Sequence, residues 1–180
     1  MLIIIVAIIA IVVGYLVVIQ RRLVHLDENC YNALSQISVQ QNARWEAITS
    51  LVKLTKDYSD YEYKTLMDVV KQRQTLTKND DVNKINEQQK IMEQAISKFQ
   101  VISEAYPDLK ADQVYTKTME SLKQYEDQVR YSQMVYNDTV TKFNRKIRQL
   151  PASLFASMLG FGDLKDYLEM DEAKETMPNV

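Results

Sequence analysis

The sequence predicts an all-α protein: an N-terminal transmembrane helix, then an antiparallel up-down bundle of four helices, two long and two short, with a short C-terminal interfacial segment. Three observations carry that expectation. Leu2 to Ile19 is an uncharged run of eighteen residues, almost all Leu, Ile, Val and Ala. Only three glycines and three prolines occur in 180 residues, so turn formers are scarce and long helices are favoured. Tyr115, Leu122, Val129, Tyr136, Phe143 and Leu150 then fall seven apart without interruption, a repeat that calls for left-handed helix packing.

The apolar run comes first. At a rise of ~1.5 Å per residue it spans ~27 Å, close to the hydrocarbon thickness of a bilayer. A cleaved signal would carry basic residues before its apolar core and small residues at a cleavage site after it, and neither is present. No basic residue precedes the run, whereas Arg21 and Arg22 follow it at once. That bias assigns the chain to the cell membrane as a single-pass protein, N-terminus outside and body cytoplasmic.

The remaining elements follow in order. Cys30, Leu34, Ile37, Trp45, Ile48, Leu51, Val52 and Tyr58 mark one long amphipathic helix, continuous with the anchor. Ser59-Asp60 supplies an N-cap for a shorter helix carrying Tyr63, Leu66, Val69, Val70, Arg73 and Leu76 on one side. After Lys78-Asn79-Asp80-Asp81, a third helix shows Ile85, Gln88, Met92, Ala95, Phe99, Ile102 and Tyr106, and Pro107 ends it. The fourth runs from about Leu109 to Leu150, with Met119, Val140 and Ile147 beside the seven-residue series. The expected units are an anchor over 1–22, a four-helix bundle over 23–150, an apolar membrane-proximal segment over 151–162, and an acidic disordered tail over 163–180.

Lengths set the topology. The first and fourth helices of the body reach ~55 to 60 Å and the middle two ~30 to 35 Å, so short connections bring Leu150 back beside Leu23. Lys142, Arg145, Lys146 and Arg148 then join Arg21 and Arg22 as a basic patch facing the lipid bilayer. In the half nearest the membrane only the two long helices run, which leaves Leu34, Ile37, Tyr136 and Phe143 partly uncovered and in want of a partner. The uncharged stretch with Leu154, Phe155, Met158, Leu159 and Phe161 has two readings: it lies on the membrane surface, or it caps the bundle against Leu23, Val24 and Leu26.

Mid-bundle, the apolar stripe of the first helix is broken by Gln41 and Arg44, and that of the fourth by Glu126 and Gln133. Pairing Leu23 with Leu150 makes facing residue numbers sum to ~170 to 173, so Arg44 meets Glu126. A buried polar contact in such a seam fixes register, or serves as a ligand site.

Catalytic constellations are not found. One histidine and one cysteine, His25 and Cys30, lie on different helix faces and cannot assemble a zinc or carboxylate-bridged metal centre. Gly160 and Gly162 flank Phe161 without the Lys-Ser or Lys-Thr of a phosphate loop. The eleven tyrosines keep helical spacing and are not interleaved with basic residues, which argues against nucleic acid. No enzyme activity and no cofactor are expected.

Ser35-Gln36-Ile37 with Val39-Gln40, Leu51-Val52 with Lys56 and Tyr58, Thr65-Leu66 with Val69, Tyr106-Pro107-Asp108-Leu109-Lys110-Ala111, Glu126, Tyr136-Asn137, Val140, Phe143-Asn144, Ile147, Leu150-Pro151 and Gly160-Phe161 together form a pattern. In these the chain resembles the LemA family of membrane-anchored bacterial proteins. It departs from the family's usual residues at Ser38, Thr49 and Gln133, where Asp, Pro and Arg are usual. The resemblance implies a short N-terminal tail, one spanning helix and a cytoplasmic antiparallel bundle, with no enzyme activity. The resulting expectation is a structural or protein-interaction module whose partners are other membrane or cytoplasmic proteins or a second copy of the chain. The alternative is a sensor or regulator that binds a small molecule or lipid at the polar mid-bundle seam.

Overall fold

In a computed structural model, which describes residues 1–170, six helices follow one another: α1 (Leu2–Thr55), α2 (Asp60–Val70), α3 (Val82–Ala105), α4 (Pro107–Ala111), α5 (Gln113–Arg148) and α6 (Ala152–Phe155). No β-strand occurs among the described residues. The chain is therefore all-α, as its periodicity predicts. α1 carries an uninterrupted helix from the apolar run into the body. Its first part is long and apolar enough to cross a membrane, and nearly all of that part is exposed.

Helix ends follow local chemistry. Ser59 Oγ accepts from the Glu62 N–H at 3.3 Å and starts α2, as expected; Asp81 Oδ1 accepts from the Lys84 N–H at 2.7 Å and starts α3. Tyr106, pushed out of the helical region by Pro107, ends α3. The fourth expected helix is split, because Asp112 adopts extended backbone and accepts from the Val114 N–H at 2.6 Å. That cap separates the single turn of α4 from α5.

Two apolar clusters form the interior. At one end, here called the base, Ile19, Leu23, Cys30, Leu34 and Ile37 of α1 pack with Tyr136, Val140, Phe143 and Ile147 of α5. At the other, the tip, Trp45, Ile48, Leu51 and Val52 pack with α2, α3 and the start of α5, and Phe99 stacks on Tyr115 at 5.8 Å. Lys165, bonded to Asn144 of α5, reaches Asp27 of α1 at 2.7 Å, and Ile19 and Ile147 lie in one cluster, so α5 runs back beside α1 towards the end of the apolar run.

Four further expectations need correction. The second helix stops at Val70, and residues 71–81 continue as a non-helical connection that brings Leu76 down into the base cluster. The last member of the seven-residue series, Leu150, lies beyond the end of α5 and is 75 % exposed, so the repeat ends at Phe143 in the core. The seam at the base is not uncovered: Leu34, Ile37, Tyr136 and Phe143 are all buried. What covers them is the chain itself, since Ala152, Ala156 and Leu168 are buried in the same cluster, with Phe155, Leu159 and Phe161 against it. Finally, residues 163–170 do not leave the bundle as a solvated tail; Leu168 is buried and its neighbours are hydrogen-bonded to α5. Charge composition suggested a free tail, but one leucine and a set of backbone hydrogen bonds hold it. The rest of the expected tail lies outside the described residues.

Candidate functional site

Between the two clusters the interior turns polar. On α1 the break falls between Ile37 and Trp45, on α3 between Ile85 and Met92, and on α5 between Leu122 and Tyr136. Gln41, Arg44, Gln88 and Gln133 are buried in this band. Burial pushes the Arg44 guanidinium down from its ordinary value, while Glu126 and then Glu93 push it back up. Arg44 and Glu126 are thus electrostatically coupled across the α1–α5 seam. Gln133 donates from Nε2 to Oε1 of Gln89 on α3.

Four buried side-chain atoms of the described residues have no hydrogen-bond partner: Nε2 and Oε1 of Gln41, Nε of Arg44 and Nε1 of Trp45. All four lie within a little over one turn of α1. Leaving a buried donor or acceptor unsatisfied costs roughly 1–3 kcal/mol each, so the band is the least economical part of the interior.

A second feature lies along the base. Asn144 donates from Nδ2 to the Lys165 carbonyl at 2.9 Å, and its Oδ1 accepts from the Lys165 N–H at 2.9 Å. Asn137, one repeat earlier, does the same for Leu168, at 3.0 and 2.9 Å. Seven helical residues advance ~10.5 Å, which three residues match only when the chain is nearly extended, at ~3.3–3.6 Å each. The two asparagines are spaced to read an extended segment running antiparallel to α5. Tyr136 adds a bond from its hydroxyl to the Asp166 carbonyl at 3.1 Å. Lys165 then reaches Asp27 of α1 at 2.7 Å, with its ammonium 4.7 Å from the Tyr31 ring and 5.1 Å from the Phe143 ring.

The 71–81 connection is held the same way. Asn42 donates to the Leu76 carbonyl at 3.0 Å and accepts from its N–H at 3.3 Å. Gln88 accepts from the Gln74 N–H at 2.8 Å and donates to the Gln72 carbonyl at 3.4 Å. Backbone groups without a helix or sheet ladder need side-chain partners when they are covered, and amides supply a donor and an acceptor together.

None of Asn42, Asn137 and Asn144 was selected as a site residue by periodicity, because an Asn beside an apolar stripe reads as surface. The signal available was Tyr136-Asn137 and Phe143-Asn144, the same aromatic-amide pair at a spacing of seven. Of the basic patch, Arg21, Arg22, Arg145 and Arg148 are exposed and Lys146 half-buried, while Lys142 is tied to Asp138 four residues away. His25 is exposed and contacts Asn29, whereas Cys30 is buried, so the two do not combine; no group of three metal-ligating side chains forms among the described residues.

Fold and site together define a helical bundle built on one continuous α1, with non-helical segments clamped along its seam by amide side chains. The family model described as LemA family matches residues 33–180, and the chain belongs to that family. No curated protein matches the sequence.

Proposed function

We propose that this LemA-family protein is a single-pass protein of the cell membrane, its N-terminus outside and its body cytoplasmic, acting as a structural or protein-interaction module without chemistry of its own. Support for the placement comes from the exposed apolar residues of α1 up to Val18 and from Arg21 and Arg22 just after them. The observation that carries the interaction reading is the pair of amide clamps at Asn137 and Asn144, which hold an extended segment through its backbone. Recognition through backbone groups, with one apolar side chain seated beside them, is a general way to take up an extended polypeptide. An extended segment of another membrane or cytoplasmic protein, or of a second copy, would exchange with residues 163–170 on the same surface.

Removal of residues 163–180 from the full chain lowers the melting temperature in this reading, and a synthetic peptide of residues 163–170 added in trans restores it by mass action. No restoration at any peptide concentration would leave the clamps a purely internal device and remove the support for an interaction role.

The unpartnered atoms of Gln41, Arg44 and Trp45 favour a second reading, a sensor that takes a small polar molecule or a lipid headgroup into the mid-bundle band. A ligand-stabilisation screen run in parallel on the native chain and Gln41→Leu separates the two, because a ligand of the band stabilises the native chain more.

A further inference from the structure

The turn that follows α5 has two faces. Ala152 and Ala156 are buried in the base cluster, with Phe155, Leu159 and Phe161 packed on it. Leu150, Leu154 and Met158, each four residues from the next, point the other way at 75, 69 and 70 % exposure. The bundle's own interior accounts for the first face and leaves the second unexplained.

We propose that this second face is a lipid-contacting foot: Leu150, Leu154 and Met158 enter the interfacial zone of a bilayer, and Arg145 and Arg148 beside them hold the phosphates of anionic lipid. The proposal rests on the reading of α1 as a membrane anchor. Three observations select lipid over any other occupant. Asn144 of α5 and Asp27 of α1 meet on Lys165, and from there α5 runs on to Arg148 by about one turn while α1 runs back to Ile19 by about two, so the foot sits near the level where the run's exposed residues begin. At that level Arg21 and Arg22 are exposed on α1 and Arg145 and Arg148 on α5, a charge complement to anionic headgroups. Third, Arg145, Arg148, Asn144, Gln149, Thr141 and Tyr167 line an open groove, and Gln149 is the residue before Leu150. Guanidinium groups suit phosphate because their fork of donors matches its oxygens.

Apolar side chains flanked by cations are the composition of a surface that lies in the interface rather than across it. The foot is too short to span, and its inner face is already committed to the bundle. The inner face caps the bundle, as one sequence reading of this segment expects, and the proposal gives the outer face to the other reading, the membrane surface.

Full-length chain in vesicles of phosphatidylcholine, with or without phosphatidylglycerol, tests this by quenching from lipids brominated along the acyl chain. Single cysteines labelled with a small fluorophore replace Leu154, Val12 in the apolar run, and Tyr61 at the tip. Cys30 stays in place, being 1 % exposed, and the unsubstituted chain controls for its labelling. Expected are quenching at Val12 and Leu154 and none at Tyr61. Quenching at Val12 without quenching at Leu154 overturns the foot and leaves the anchor standing; no quenching at Val12 overturns the anchor and the foot with it. The variant Arg145→Gln with Arg148→Gln, both at exposed positions, should lose the larger part of the Leu154 quenching that phosphatidylglycerol adds. Unchanged quenching in that variant overturns the arginines' part in holding phosphate.

Discussion

Asn144 closes both backbone hydrogen bonds of Lys165 with a single side-chain amide, donating at 2.9 Å and accepting at 2.9 Å. The lysine it positions ends on Asp27 of α1, so one asparagine ties α5, the C-terminal segment and α1 together. Replacing Asn144 by Ala leaves a partly buried N–H and carbonyl without partners, at roughly 1–3 kcal/mol. Asn137→Ala should cost a similar amount through Leu168. Urea unfolding measures both, and hydrogen exchange at Lys165 and Leu168 should quicken in the matching variant only. A loss in stability with no change in exchange at residues 165 and 168 would mean that the clamps are not what holds the segment.

Cys30 gives the fold an alkaline limit. Burial first, and Asp27 in small part, push its thiol up from 9.0 to about 11, against a downward pull from Lys165. The folded state therefore keeps the proton longer than the unfolded state does. Its contribution is complete below the unfolded value and is lost as pH rises from about 9 to about 11, a loss of ~2–3 kcal/mol by linkage. Across that window the native chain should lose this much more stability than Cys30→Ala does. A gap between the two that stays constant with pH would show that the thiol is not desolvated.

The Arg44–Glu126 coupling makes a prediction of non-additivity. Arg44→Met removes a buried cation and leaves the half-buried Glu126 and Glu93 without its compensating charge; Glu126→Gln leaves the cation under-compensated. Each single change should cost roughly 3 kcal/mol and the double clearly less than their sum. Strict additivity in the cycle would mean that the coupling is negligible.

Orientation is open to a direct assay. With the body in the cytoplasm, a cysteine at the tip position Tyr61, which is 76 % exposed, escapes a membrane-impermeant thiol reagent in intact cells and reacts after lysis. Reaction before lysis would reverse the assignment drawn from Arg21 and Arg22.

The helices were legible because their signals repeat. Leu122, Val129 and Tyr136 announce α5 three times over, and Ser59 marks the start of α2 by itself. The mid-bundle band was legible as an interruption of that repetition at Gln41, Arg44 and Gln133. The clamped segments were not, for a physical reason: each contributes one apolar anchor to the interior, Leu76 or Leu168, and one residue has no period. Their order comes from backbone groups, which carry no sequence signature, and from asparagines on other elements. Acidic composition after Asp163 pointed to solvent, yet Lys165 alone contributes an ion pair and two ring contacts.

The unbroken course of α1 turns the protein into a lever. From Ile19 to Thr55 the helix rises ~54 Å, with no break to absorb bending. If the apolar run lies in a bilayer at the ~20° tilt common for single helices, the tip stands some ~18 Å to one side of the point of entry. A thinner membrane demands more tilt and a thicker one less, so local bilayer thickness becomes lateral displacement at the tip. Clamped along α1 and α5, the body would move as one piece with that arm.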